Sequence, residues 1–72
     1  RGSMAVVKVI ELMAESANGW EEAVQEAVTE AAKTVKNIKS VYVNHMQAMV
    51  EDNKVVSYRV NVKVSFVVDT KE

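Results

Sequence analysis

The chain has 72 residues, with nine Lys or Arg and ten Asp or Glu, which gives a formal net charge of −1. A chain of this length is expected to form one domain, which buries only about 60% of its unfolded surface and is therefore marginally stable by itself. The sequence contains no Cys and one His, which excludes disulfides, thiolate metal sites and a His-built zinc site within one chain. Oligomerisation is the remaining way to stabilise so small a domain.

Charges of both signs alternate along the chain, and this pattern argues against a nucleic-acid partner, which requires a concentrated basic face. No apolar run approaches the roughly 20 residues of a membrane span. No signal peptide is apparent, so we expect no membrane partner and a cytoplasmic location. Residues 1–3 (Arg-Gly-Ser) have the character of an expression-tag remnant, and residues 4–72 are expected to form a single domain.

The first predicted element is a short strand over residues 5–13, which are Val-rich and apolar except for Lys8 and Glu11. Residues 14–19 are predicted to form a loop, in which Asn18 and Gly19 are the strongest turn formers.

Apolar residues then recur at intervals of three and four over residues 20–38, which predicts an amphipathic helix. The apolar stripe consists of Trp20, Ala23, Val24, Ala27, Val28, Ala31, Val35 and Ile38. Asn18 or Gly19 is the expected N-cap, with Glu21 or Glu22 reaching back from the first turn. Because the stripe is rich in Ala, the helix is expected to lie close to a sheet, with Trp20 in the core.

Residues 40–51 and 54–68 are predicted to form an antiparallel hairpin, because Asp52 and Asn53 between them are typical of a tight turn. Every even position from Val56 to Val68 is apolar, so the second strand has one apolar and one polar face.

The apolar parity of residues 40–51 changes partway along the strand. This change predicts a β-bulge near Asn44 and His45, or alternatively a strand covered on both faces. His45, Met46 and Met49 are expected to serve strand or subunit packing. The complete pattern is β-α-β-β, which predicts an α+β fold with a three-stranded antiparallel sheet wrapped around one helix.

Four segments of the chain have a distinctive order and spacing: W-E-E-A-V-Q-E-A-V at 20–28, K-T-V-K-N-I at 33–38, V-E-D-N-K at 50–54 and Y-R-V-N-V-K-V-S-F at 58–66. Together with the total length, they resemble the dodecin family of very small β-α-β-β proteins. The resemblance implies a hollow homo-dodecamer that holds flavin, either riboflavin or FMN, in pairs between subunits. It therefore implies a flavin-binding storage or sequestration protein.

The resemblance also implies site residues. A tryptophan that stacks on the flavin is expected after the helix exit, where this chain has Ser40. A glutamine that hydrogen-bonds the flavin is expected in the last strand, where this chain has Arg59. Because Ser40 has no ring and Arg59 has no acceptor, flavin binding is expected to be weaker than in relatives with both residues. Tyr42, which shares the strand parity of Ser40, and Gln47, a polar residue among apolar ones, complete the candidate flavin site.

Two other ligands are consistent with the sequence. The resemblance implies that relatives without the tryptophan bind ions, so the alternative is a flavin-free shell that holds Mg or Ca between symmetry-related copies. Its ligands would be helix carboxylates: Glu21, Glu22, Glu26 and Glu30. A nucleotide-like ligand would place phosphate near Arg59, Lys39 or Lys36.

The sequence shows no catalytic constellation, Gly-rich phosphate loop or metal-ligand cluster, so we expect neither enzyme activity nor a metal site within one chain.

Overall fold

The computed structural model describes residues 6–68, which form three strands and one helix. The elements are β1 (Val6–Ser16), α1 (Trp20–Ala31), β2 (Ile38–Glu51) and β3 (Lys54–Val68). The strands form one antiparallel sheet in the order β1-β3-β2, with the longest strand in the centre. The predicted β-α-β-β fold is confirmed. The tag remnant predicted at residues 1–3 lies outside the described residues.

The core lies between α1 and one face of β3. Val60, Val62 and Val64 are fully buried on alternate positions of the strand, as the sequence pattern predicted. They pack against the buried alanines of the helix: Ala23, Ala27 and Ala31. Small side chains at four-residue intervals form one stripe of a helix, so the backbone of α1 can approach the sheet closely.

Within residues 6–68, no helix covers the opposite face of the sheet, and we call it the open face. It consists of the odd-numbered residues of β3 and their cross-strand neighbours in β1 and β2, because side chains alternate along a strand. Several of its apolar side chains are exposed: Val7, Val9, Met13 and Tyr42. No helix in the described part of the chain is long and apolar enough to cross a membrane.

The hairpin between β2 and β3 has the predicted turn and the predicted bulge. Asp52 and Asn53 have φ angles of 51° and 65°, the left-handed conformation that a tight two-residue hairpin requires. The register shifts between Val43 and His45, which leaves Asn44 as the extra residue. The bulge therefore accounts for the change of apolar parity along β2.

The helix is shorter than predicted, because it ends at Ala31 and not at Ile38. Its last carbonyl, that of Ala31, accepts hydrogen bonds from the backbone N–H groups of Thr34 and Val35, each at 3.0 Å. Asn37 then adopts a φ of 63°, which ends any helical continuation. Val35 and Ile38 still pack against the core, so residues beyond the helix continued the apolar spacing and misled the prediction.

The first strand is longer than the predicted residues 5–13, and residue 5 lies outside the described range. Ala14, Glu15 and Ser16 were expected in a loop, but they pair with Val60, Arg59 and Tyr58 of β3. Pairing with a 15-residue central strand outweighs the weak local preference of these residues for a loop. The second strand likewise begins at Ile38, before the predicted residue 40.

Candidate functional site

The four residues predicted to bind flavin all lie on the open face. In the register of β2 and β3, Ser40 is opposite Ser65, Tyr42 is opposite Lys63, and Gln47 is opposite Arg59. These β3 residues are the odd-numbered ones, which point away from the buried valines and the helix. The fold therefore places the predicted residues on one surface.

Within one chain these residues form two separate groups. Ser40 and Tyr42 lie near the start of β2, whereas Gln47 and Arg59 lie beyond the bulge toward the hairpin end. At about 3.3 Å per residue, the separation between Ser40 and Gln47 along the strand is roughly 20 Å. A single small ligand contacts both groups only if they come from different subunits.

The guanidinium of Arg59 binds a carboxylate from the neighbouring strand. Its Nε and Nη2 both donate to Oε1 of Glu15, at 3.3 and 3.1 Å, and Ser57 Oγ donates to Oε2 of the same carboxylate at 3.1 Å. Because the Arg59 and Glu15 side chains are 32% and 48% exposed, this pair contributes at most about 1 kcal/mol to stability. Its main consequence is that two N–H groups of the guanidinium already donate hydrogen bonds to Glu15 and are not free to bind a ligand.

Ser40 is exposed and forms a hydroxyl–hydroxyl hydrogen bond with Ser65 across the strand pair. Ser65 Oγ also approaches the carbonyl oxygen of Ser40 at 3.5 Å. A polar pair therefore occupies the place where the resemblance implies an aromatic platform. The aromatic ring on this part of the open face is that of Tyr42, which is 66% exposed and two residues further along β2.

The open face also contains a groove beside Arg59, with a volume of about 380 Å³. We call it the Met13–His45 groove, and its lining residues are Met13, His45, Met46, Gln47, Arg59 and Asn61. Gln47 and Arg59 were among the predicted site residues, whereas Ser40 and Tyr42 do not line this groove. Thioether, imidazole, amide and guanidinium groups thus surround one cavity.

Sequence reasoning did not identify Met13, Glu15 or Asn61 as members of this site. The signal was present in the sequence, because Val9, Glu11, Met13 and Glu15 stand at every second position and therefore lie on one face of a strand. This series continues past the predicted end of the first strand. The missing information was the register between β1 and β3, which places Glu15 opposite Arg59 and Met13 opposite Asn61.

The helix carboxylates considered as ion ligands have different surroundings. Glu22 accepts hydrogen bonds from Ser16 Oγ and, at 2.6 Å, from Asn18 Nδ2, and these two bonds, chiefly that from Ser16, lower the pKa of Glu22. Glu30 forms an exposed ion pair with Lys33 at 3.1 Å. Across residues 6–68, no three His, Cys, Asp or Glu side chains lie close enough to hold a metal ion together.

The sequence and the structure were compared with known proteins. The family model named Dodecin matches residues 6–69 of this chain. The chain belongs to the dodecin family. Among curated dodecins, it is 35% identical to the calcium dodecin of Mycobacterium tuberculosis over 63 residues, which cover 88% of this chain and 89% of that protein.

Solved dodecin-like structures share the fold. The tt0972 protein of Thermus thermophilus superposes with a TM-score of 0.88 at 28% identity, covering 94% of this dodecin and all of that chain. The dodecin of Streptomyces coelicolor gives a TM-score of 0.88 at 27% identity, over 97% of this chain and all of its own. The calcium dodecin of Mycobacterium tuberculosis, described with a novel calcium-binding site, gives 0.76 at 31% identity, over 93% and 96% of the two chains.

Proposed function

We propose that this dodecin is a non-enzymatic binding protein that assembles as a closed homo-oligomer, a dodecamer, and holds its ligand between subunits. The open face supports assembly, because Val7, Val9, Met13 and Tyr42 expose apolar surface there. The fully buried core of residues 6–68 consists of three valines and three alanines, and so small a core favours further burial by other copies. A second copy would also bring the two separated groups of the open face together.

For the ligand, we propose a divalent cation, calcium, in preference to flavin. The observation that carries this proposal is the hydroxyl pair of Ser40 and Ser65 at the position of the implied stacking ring. A flat ligand gains about 0.5–1.5 kcal/mol from each aromatic contact beyond area burial, and Ser40 offers none. The 35% sequence identity to the calcium dodecin of Mycobacterium tuberculosis also supports calcium as the ligand.

Within residues 6–68, the acidic side chains and the imidazole do not form a calcium site by themselves. The ion takes six to eight oxygen ligands, and residues 6–68 contain no group of three carboxylates or imidazoles that could supply them. We therefore place the calcium ion between several copies, around a symmetry axis. Of the helix carboxylates, Glu22 accepts from Ser16 and Asn18 and Glu30 pairs with Lys33, which leaves Glu21 and Glu26 as the candidates.

Flavin, as riboflavin or FMN, is the second candidate ligand. The observation that favours it is the exposed ring of Tyr42, which lies on the same face as Ser40 and close to it. Tyr42 supplies one aromatic surface in place of the implied tryptophan, so weak flavin binding is expected between paired subunits.

The test compares both ligands on the same assembled protein. Calcium is removed with a chelator and then titrated back by calorimetry, and riboflavin is titrated in parallel by fluorescence quenching. We expect saturable calcium binding and quenching only at high micromolar riboflavin. Glu26→Gln should weaken calcium binding at least about tenfold, whereas the Lys33-paired control Glu30→Gln should leave it unchanged. Tight riboflavin binding without calcium binding would reverse the ranking of the two ligands.

A further inference from the structure

The loop between β1 and α1 contains the dipeptide Asn18-Gly19, which neither the calcium nor the flavin proposal uses. Asn18 is exposed, and Gly19 is half-buried directly before the first residue of the helix. The loop lies outside the open face, so the proposed assembly does not require it to be covered. An asparagine followed by glycine is the arrangement in which the side-chain amide is most open to attack by the next backbone nitrogen, because glycine has no Cβ to hinder the approach.

The backbone N–H of Gly19 is available for such an attack. Within residues 6–68 it donates no hydrogen bond, whereas the carbonyl oxygen of the same residue accepts one from the N–H of Ala23 at 3.1 Å. Apart from the chain neighbours of Gly19, no heavy atom lies within 4 Å of the place where a Cβ would stand. Both the hydrogen bonding and the space around this residue therefore leave its nitrogen accessible.

The reaction that these features permit is deamidation. The nitrogen of Gly19 loses its proton to hydroxide and attacks Cγ of Asn18, which forms a new C–N bond. The bond from Cγ to Nδ2 then breaks, and Nδ2 takes a proton from water and leaves as ammonia. Water opens the resulting cyclic imide at either carbonyl carbon, with OH added to that carbon and H returned to the nitrogen. The product is aspartate or isoaspartate, and no group is oxidised or reduced.

Glu22 restrains the amide that must react. Its Oε1 accepts a hydrogen bond from Nδ2 of Asn18 at 2.6 Å, and the backbone N–H of Asn18 donates to Ser16 Oγ at 2.9 Å. Ser16 Oγ also donates to Glu22, so one small network holds both the backbone and the side chain of Asn18. We propose that Asn18 is a site of spontaneous deamidation in the native protein and that its hydrogen bond to Glu22 slows the reaction.

Deamidation would also remove the restraint. The amide of Asn18 is the donor of the bond to Glu22, and an ionised carboxylate can only accept. The modified residue therefore loses this contact at the start of the helix.

The experiment incubates the assembled protein at mildly alkaline pH and measures each asparagine by mass spectrometry of peptides, with separation of aspartate from isoaspartate. Asn53 is the internal control, because it is also exposed and lies in a turn but is followed by Lys54. Asn18 should convert at least about tenfold faster than Asn53. Asn18→Gln should give no product at this position on the same timescale, because its longer side chain closes a ring less readily.

A variant tests the role of the hydrogen bond. Glu22→Ala should speed conversion of Asn18 roughly two- to fivefold, the effect of losing one exposed hydrogen bond to a charged group. Glu30→Ala is the matched control, since Glu30 is a carboxylate of the same helix that binds Lys33, and it should leave the rate unchanged.

The comparison of Asn18 with Asn53 uses the unaltered protein, so it does not depend on how the variants fold. The proposed site is wrong if Asn18 keeps its amide while Asn53 converts, or if the two convert at the same rate. The restraint assigned to Glu22 is wrong if Glu22→Ala, folded and assembled, converts no faster than Glu30→Ala.

Discussion

Ser40 stands at the position where the family resemblance implies a stacking tryptophan. Its hydroxyl pairs with Ser65 and leaves the start of β2 without the flat apolar platform that the family resemblance implies. Arg59 reinforces the difference, because two of its N–H groups bind Glu15. Both residues are thus engaged in polar contacts within the chain, and our preference for an ion over flavin rests on them.

Restoring the ring should restore flavin affinity. Ser40→Trp adds a stacking surface from each subunit of a pair, and by analogy with base–aromatic stacking this contributes about 1–3 kcal/mol. That free energy corresponds to roughly a ten- to hundredfold lower Kd for riboflavin, measured by fluorescence quenching. Met49→Trp, further along the same face of β2, is the control and should give no gain. An unchanged Kd in a normally assembled Ser40→Trp protein would show that Ser40 does not line a flavin pocket.

Among the elements, β3 was predicted with its observed bounds, and α1 was not. Apolar and polar residues alternate regularly in β3 from Val56 to Phe66, and a one-residue slip would expose the buried Val60, Val62 and Val64. The helix pattern, in contrast, could not distinguish residues of the helix from Val35 and Ile38, which follow it and pack against the same core. The hydrogen bonds and backbone angles that end the helix depend on Thr34 and Asn37, whose effect is not visible as a period.

The candidate site could be predicted only in part. Strand parity grouped Ser40 with Tyr42, and Gln47, which has the opposite parity, reaches the same side of the sheet because of the bulge after Val43. Which residues meet there depends on the register of three strands, and the contact between Glu15 and Arg59 joins residues far apart in sequence. Such long-range pairing is set by the assembled sheet and not by local spacing.

The junction between β1 and α1 should respond to acid through Glu22. Hydrogen bonds from Ser16 and then Asn18 lower its pKa below the ordinary value of 4.5. A lowered folded-state pKa stabilises the fold above the unfolded pKa, and this contribution is lost as the pH falls through the folded value. We therefore expect the stability advantage of the native protein over Glu22→Gln to be constant from pH 7 to about 5 and to shrink below about pH 4.5.

Urea unfolding of both proteins between pH 7 and pH 3 measures this difference. Ser16→Ala removes the larger cause of the shift, so the pKa of Glu22 in that variant should return toward 4.5, as followed by carboxyl NMR. A difference between the native protein and Glu22→Gln that stays constant down to pH 3 would contradict the role assigned to this carboxylate.

At the scale of the whole molecule, the chain is elongated and has little interior. Its Cα atoms extend over 60 × 20 × 14 Å, and its fully enclosed core is a single layer of small side chains between one helix and one strand. The open face exposes apolar residues, and a chain of 72 residues has little other apolar surface to bury. We therefore expect further copies of the chain to cover this face. Assembly would also convert two incomplete half-sites into one shared site.

Native mass spectrometry tests the central claim most directly, because it reports the number of copies and any retained ligand together. The chain has a mass of 8.0 kDa, so twelve copies give about 96 kDa. We predict one dominant species of this mass at micromolar concentration, carrying calcium and no stoichiometric flavin, which loses the ion and keeps its copies on mild chelation. A stable 8.0 kDa monomer, or an oligomer with one flavin per chain, would contradict the account.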